Sequence, residues 1–274
     1  MKVAIQGEPG SLSHEASLKM EPEATIYPCA FSVDVFRCVI DGTVDAATIP
    51  IENSLAGPVV EHYDLLLHHD VAVERESLLR IHHNLIGVPG GSIEEITRVS
   101  SHPVALAQCR RFLEAHKNFE VMPYYDTAGS VKQIMSQGDV RSAAVAGHAA
   151  ADYYGATILA SGIEDNAQNF TRFFFVRRTA LVPKNTLANK VSLAFTVENL
   201  PGTLVKALQI FAEHGTNLTK IESRPVPGQP WQYVFYVDYQ VSSPQGAKVP
   251  IEQLLRFCSM VKELGFYVHA ELPA

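Results

Sequence analysis

Thr171 and Arg172 stand side by side where the polar stretch Asn166-Ala167-Gln168-Asn169 passes through Phe170 into the apolar run Phe173-Phe174-Phe175-Val176. A hydroxyl offers one hydrogen-bond donor and a guanidinium a planar fork of them. The pair therefore suits a small anion, with Arg172 gripping it by two N–H bonds and Thr171 touching it. The apolar run has the length of a strand buried on both faces, which puts the two polar residues at a strand entrance. Ligands of open α/β folds sit in crevices beyond strand ends. A polar strand start that only faces water is the other reading.

Further polar residues fall at strand-to-helix junctions. Glu52-Asn53-Ser54 follows a strand-like 46–51 and precedes Gly57-Pro58, where proline suits the first position of a helix with Val59, Tyr63, Leu66 and Leu67 on its buried side. Ser101 and His102 precede Pro103 at another helix start, and Gln108 lies about one and a half turns inside that helix. Thr127 occupies a third junction, where capping is its ordinary role. The segment from Gly7 to Glu15 joins a first strand to a helix. It lacks the third glycine of a dinucleotide fingerprint and the ending of a nucleotide-binding P-loop, which leaves a plain turn or a loop facing a ligand. His68-His69 and His82-His83 have neither i, i+4 spacing nor a nearby cysteine, so no metal site is expected.

The elements that must position these groups alternate. With 274 residues and 47% apolar content, the chain can build two or three compact units. A formal charge of −7 without any basic run argues against nucleic acid and anionic membranes as partners, so an anionic ligand has to be attracted locally. The N-terminus has no signal-peptide pattern, no apolar run is long enough to span a bilayer, and the scattered cysteines at 29, 38, 109 and 258 read as reduced thiols. A cytoplasmic protein is expected.

Strand 3–6, a helix capped by Ser32, strand 46–51 and one or two strands in 71–88 compose a first lobe and the passage out of it. Helix 103–115, strand 121–125, helix 128–137, strand 143–146 and helix 148–154 compose a second, and 156–163 returns to the first. Such alternation predicts a mainly parallel sheet, and two crossings between lobes predict a cleft. Past the polar linker Leu181 to Thr186, the pattern becomes a half-buried strand 191–197, a helix opened by Pro201-Gly202-Thr203, strand 216–225, a turn at 227–230, strand 233–239, helical spacing from Ile251 through Val261, and a closing segment 266–272. That order is βαββαβ, a ferredoxin-like module.

The words Asn-Phe-Thr-Arg-Phe at 169–173, Pro-Ile-Glu-Asn-Ser at 50–54, Ser-His-Pro at 101–103 running to Gln108-Cys109, and Tyr-Asp-Thr-Ala at 125–128 occur in the order of the prephenate dehydratase family, which the chain resembles. Glu222-Ser223-Arg224-Pro225 resembles that family's ACT regulatory domain. The resemblance implies an α/β fold: a two-lobed, periplasmic-binding-protein-like catalytic domain over 1–183 (lobe one 1–77 and 160–183, lobe two 78–159), a linker 184–189 and an ACT domain over 190–274. It implies a lyase that converts prephenate to phenylpyruvate without a cofactor, with Thr171 and Glu52 as alternative proton donors. Asn53, Ser54, Ser101, Gln108, Thr127, Arg172 and Phe173 are then the residues that bind substrate.

In the C-terminal module, Gly202, Thr203, Leu204, Val205, Asn217, Leu218, Glu222, Ser223, Arg224 and Pro225 match motifs that bind the feedback effector L-phenylalanine. Alanine is commoner than threonine at position 203. The resemblance also implies a homodimer or homotetramer, and with no mutase helix ahead of Met1 a monofunctional chain is expected. An arogenate dehydratase and a non-catalytic sensor of aromatic acids are the alternatives.

Overall fold

The computed structural model describes residues 1–226 and 228–273. The expected turn at 227–230 thus includes one residue, Pro227, outside the described residues. Its remainder holds Gly228 at φ 76 and a Gln229 N–H that donates to Val226 O at 3.1 Å.

The chain opens with β1 (Lys2–Gln6), α1 (Leu12–Met20), β2 (Thr25–Cys29), α2 (Ser32–Ile40), β3 (Ala46–Asn53), β4 (Gly57–Pro58), α3 (Val60–His68) and β5 (Val71–Arg80). Val3, Ala4, Ile5, Ile49 and Ile51 are wholly buried, as continuous apolar runs in a strand covered on both faces must be. Pro58 does not begin a helix. Gly57 and Pro58 instead turn back to pair antiparallel with Asn53 and Glu52, and α3 starts at Val60. Ser32 is not the cap of α2 either; Phe31 holds that position, and the Ser32 hydroxyl bonds across to the Gln6 and Glu61 side chains.

A second group follows: β6 (Asn84–Gly87), β7 (Arg98–Ser101), α4 (Pro103–Gln108), α5 (Arg110–Ala115), β8 (Glu120–Pro123), α6 (Thr127–Gln137), β9 (Ser142–Ala146), α7 (His148–Tyr154), β10 (Thr157–Ser161) and then β11 (Phe170–Arg178). The expected single helix 103–115 is broken at Cys109, whose φ of −118 and ψ of 23 leave the helical region while its side chain is wholly buried. α6 is capped by Asp126, whose carboxylate accepts from Gly129 N–H, and it ends on left-handed Gly138.

Two sheets result. One takes the order β2-β1-β3-β11-β5 with β4 beside β3, and β1 runs parallel to β2 and β3. The other takes the order β10-β6-β9-β7-β8. In it β7 is parallel to β8 and β9, whereas β6 is antiparallel to both β9 and β10. The mainly parallel sheet expected from alternation thus becomes a mixed one here, because β6 and β10 reach it through the inter-lobe crossings and not through a βαβ unit.

The remaining elements are β12 (Lys190–Thr196), α8 (Thr203–Glu213), β13 (Asn217–Pro225), β14 (Tyr233–Gln240), α9 (Pro244–Leu254) and β15 (Met260–Tyr267). They form a sheet of order β13-β14-β12-β15, antiparallel throughout, with the two helices interleaved as a ferredoxin-like βαββαβ module requires. The helical spacing expected through Val261 fails: α9 starts earlier, at Pro244 behind the Ser243 cap, and Val261 lies in β15. Val191, Leu193, Phe195, Phe211, Tyr239 and Leu254 fill the module's core.

The described chain divides into two compact units, one holding 1–62, 77–173 and 272–273, the other 63–76 and 174–271. Within the second unit, Arg224 forks onto the two oxygens of Asp64 at 3.1 and 2.8 Å, and Lys262 Nζ donates to the carbonyls of Leu66, Leu67 and His69 at the C-terminal end of α3. Gly265 leaves no room for a side chain, since a Cβ there would lie 2.4 Å from Val73 O.

Candidate active site

A cavity of about 1180 Å³ opens within the first unit, lined on one side by the ends of β1, β2, β3 and β11 and on the other by α4 and the start of α6. Period two decides what β11 presents to it. Thr171 and Phe173 share one face of the strand and line the cavity. Arg172 lies between them, is absent from the lining and is 6% exposed, and its Nη1 meets Glu52 Oε1 at 3.0 Å. In this geometry the Arg172 guanidinium is engaged by Glu52, which likewise is absent from the cavity lining.

Asn53 is the hub of the polar wall. Its Oδ1 accepts from the backbone N–H groups of Leu55 and Ala56 at 3.0 and 2.8 Å, which turns its Nδ2 towards Asn169 Oδ1 at 2.7 Å, Thr171 Oγ1 at 2.9 Å and Phe170 O at 3.1 Å. Gln108 Oε1 accepts in turn from Asn169 Nδ2 at 3.0 Å and from His83 Nε2 at 2.9 Å. Of the expected substrate residues, Asn53, Gln108, Thr127 and Phe173 line the cavity, as does Thr171, one of the two expected proton donors.

Ser54 and Ser101 do not. Ser54 Oγ donates to Gln168 O and accepts from Phe170 N–H, tying the end of β3 to the entrance of β11. Ser101, wholly buried, donates to Val145 O at 2.5 Å. Both hydroxyls hold backbone in place because each meets a strand-end main-chain group before it can reach the cavity.

The Gly7–Glu15 loop faces the cavity through Gly7, Glu8, Ser11, Leu12 and Ser13. Glu8 accepts from Tyr125 Oη at 3.0 Å and pairs with Lys132 at 3.0 Å. Gly7, at φ 90, lies so near Asp126 that a Cβ would come 2.6 Å from Oδ2. These contacts join loops of the two sheets over the cavity. The Glu8–Tyr125–Lys132 cluster was invisible in the sequence, since Glu8 stands 117 and 124 positions before its two partners.

Burial sets the charge states nearby. It pushes the Cys29 thiol up to about 12, reinforced by Cys38, so the wall carries a neutral thiol there and not a nucleophilic thiolate. It holds His83 below the ordinary histidine range against the opposing bond to Gln108, and it raises Asp126 against the opposing bond from Gly129 N–H. Neither histidine pair gathers ligands: His82 meets Glu164, His83 meets Gln108, and among the described residues no group of three or more His, Cys, Asp or Glu side chains is placed to hold a metal ion.

In the C-terminal module, Gly202 adopts a left-handed conformation ahead of α8. The Thr203 hydroxyl, the departure from alanine, shares its one proton between Glu198 O at 2.6 Å and Leu200 O at 2.9 Å and so closes the preceding loop upon itself. Leu204 and Leu218 pack on the core, and Val205 is 66% exposed. Asn217, Glu222, Ser223, Arg224 and Pro225 lie along β13, an edge strand paired on one side only, to β14. Arg224 is the member already engaged, by Asp64.

The model of the prephenate dehydratase family matches residues 3–180. The chain belongs to the prephenate dehydratase family. The ACT domain model matches 191–238 of this prephenate dehydratase family member. A curated relative, arogenate dehydratase/prephenate dehydratase 2 of Arabidopsis thaliana, is 38% identical over 277 residues, covering 97% of this chain and 72% of its own. The crystal structure of prephenate dehydratase from Arthrobacter aurescens in complex with L-Phe superposes with a TM-score of 0.90 at 30% identity, covering 100% of this chain and 92% of the other. A structure described as GqqA, a novel type of quorum quenching acylase, superposes at 0.88 with 32% identity over 98% of both chains. No helix among the described residues is long and apolar enough to cross a membrane.

Proposed function

We propose that this family member converts prephenate to phenylpyruvate, with carbon dioxide and water as the other products, under feedback by L-phenylalanine. The observation that carries the reading is Thr171 Oγ1 on the cavity wall, 2.9 Å from an Asn53 amide whose orientation two backbone donors fix. Breaking the bond from ring to carboxylate releases an electron pair into the ring, and the ring expels hydroxide from the opposite carbon as it becomes aromatic. Hydroxide is a poor leaving group until a donor supports its oxygen. Because Asn53 donates to Thr171, the threonine's own proton points elsewhere and is available to the departing oxygen.

Glu52 is the weaker candidate for that role, being held by Arg172 off the cavity wall. The Arg172–Glu52 pair supports β3 and β11 from behind. The N-terminal end of α1 supplies local attraction for the substrate's side-chain carboxylate, and Lys132 adds to it on exchanging Glu8 for the substrate. On this reading the ring carboxylate that leaves is set against the apolar part of the wall, Ile81, Ala105 and Phe173, away from any cation that would stabilise it against loss.

The functional division proposed is a catalytic domain over 1–183, a linker over 184–189 and a regulatory domain over 190–274, in a cytoplasmic homodimer or homotetramer joined through the open edge of β13. Ile221, 48% exposed on that edge, gives it apolar character. The test is kcat/KM for prephenate and arogenate side by side, with and without L-phenylalanine. The reading expects the higher value on prephenate and inhibition by the amino acid. A higher value on arogenate replaces the substrate, and binding of either without product leaves a sensor.

A further inference from the structure

Four side chains running away from Thr171 form a hydrogen-bonded line with only one workable polarity. Leu55 and Ala56 N–H groups fix Asn53 Oδ1, so Asn53 Nδ2 has to be the donor towards Thr171 and Asn169. Asn169 then presents its oxygen to Asn53 and its Nδ2 to Gln108, which must answer with Oε1. An oxygen already accepting one proton can take a second only from a donor, so the last member, His83, has to carry hydrogen on Nε2.

The inner links are sequestered, Asn169 being wholly buried and His83 3% exposed, while Asn53 and Gln108 are half-buried on the cavity wall. The other ring nitrogen, Nδ1, is buried with no hydrogen-bond partner among the described residues. That is tolerable for a bare lone pair and costly for an N–H, so the ring's surroundings select the same tautomer that the line requires. The two ends of the array, a backbone turn after β3 and a histidine ring after β5, thus impose the same direction.

We propose that His83 is a positioning residue for the dehydration: its Nε2–H fixes the amide of Gln108, through it those of Asn169 and Asn53, and so keeps the Thr171 hydroxyl proton directed into the cavity. The inference rests on the dehydratase reading above and assigns it a residue that does not touch substrate. Gln108 is the pivotal link. It lines the cavity as well as ending the line, so a reversed Gln108 amide offers a donor to Asn169 Nδ2, and repulsion between the two passes to Asn53.

The experiment compares His83→Leu and His83→Gln with the unaltered protein on prephenate, with thermal melts to check folding. Leucine removes the donor; glutamine offers an amide N–H near the position of Nε2. The expected result for His83→Leu is a loss of about 10- to 100-fold in kcat, the cost of one buried unsatisfied group, with KM changed less than about threefold. His83→Gln recovers most of the rate, which a merely space-filling histidine would not predict. Equal kcat in the leucine variant and the unaltered enzyme overturns this inference and leaves the dehydratase reading standing; no turnover by the unaltered protein overturns both. Should the leucine variant fail to fold, nitrogen-15 NMR of histidine in the unaltered protein decides: a neutral ring protonated on Nε2 supports the proposal, and one protonated on Nδ1 overturns it.

Discussion

Replacing Thr171 by valine keeps the shape and the β-branch of the side chain while deleting its hydroxyl, and two separate costs follow from the geometry. The first is catalytic. One donor aimed at a developing oxyanion in a water-poor site contributes about 2.7–4 kcal/mol, so kcat should fall roughly 10²- to 10³-fold. The second is structural and smaller: Asn53 Nδ2 loses one of three acceptors but keeps Asn169 Oδ1 and Phe170 O, so the destabilisation is about 1 kcal/mol, or about 2–4 °C in Tm. KM should move little, because the hydroxyl acts on the leaving oxygen in the transition state. Phenylpyruvate absorbance in base gives the rate, calorimetric titration of prephenate the affinity. Thr171→Ser, which keeps the hydroxyl, should retain turnover within about tenfold, since only a methyl group near 0.8 kcal/mol of packing is lost. A valine variant within a few-fold of the unaltered kcat would remove Thr171 from the chemistry and refute the reasoning.

Arg172→Met should destabilise by about 3 kcal/mol, the lower end for breaking a buried pair because Glu52 keeps 29% exposure, and denaturant midpoints measure it. Gly265→Ala should lower stability by about 1–3 kcal/mol, because the added Cβ meets Val73 backbone that cannot rotate away; an unchanged melting curve would contradict the close approach. Asp64→Asn weakens the grip on Arg224, so the L-phenylalanine concentration for half-inhibition should change at least about threefold while basal turnover holds, a loss of a partly buried charge interaction of under 1 kcal/mol. His62 and His83 are buried with their protonation disfavoured, so the unfolded chain binds protons more readily below the ordinary histidine range. Stability is therefore full above about pH 6.5 and declines as pH falls, by up to about 1.4 kcal/mol per pH unit for each ring. Urea unfolding at a series of pH values reads that slope, and a flat profile through this window contradicts neutral burial.

Much of this was legible in the residues, for identifiable reasons. Strands whose buried runs are continuous, such as β9 and β11, announce themselves through composition alone, and the βαββαβ order of the C-terminal module follows from alternating and helical spacing. Adjacency in sequence suggested that Thr171 and Arg172 share one face, whereas a strand sends neighbouring side chains to opposite faces. The break at Cys109 and the early start of α9 follow from tertiary packing that overrides a continuous helical pattern. Asn169 stood within a motif and His83 within a histidine pair without either receiving a role, because an amide and a histidine acquire meaning only through partners 116 and 25 positions away. His83 stood in the sequence as half of a histidine pair with a metal in question, and its actual partner is the amide of Gln108.

The central claim, that the Thr171 hydroxyl supports the departing oxygen, is tested most directly by a crystal structure of the slow Thr171→Val protein with prephenate bound. The account predicts the ring hydroxyl oxygen within about 3.2 Å of the position that Thr171 Oγ1 occupies in the unaltered chain, with the ring carboxylate against apolar wall. A ring hydroxyl turned to another donor, with the position of Thr171 Oγ1 facing the side-chain carboxylate or solvent, would contradict it.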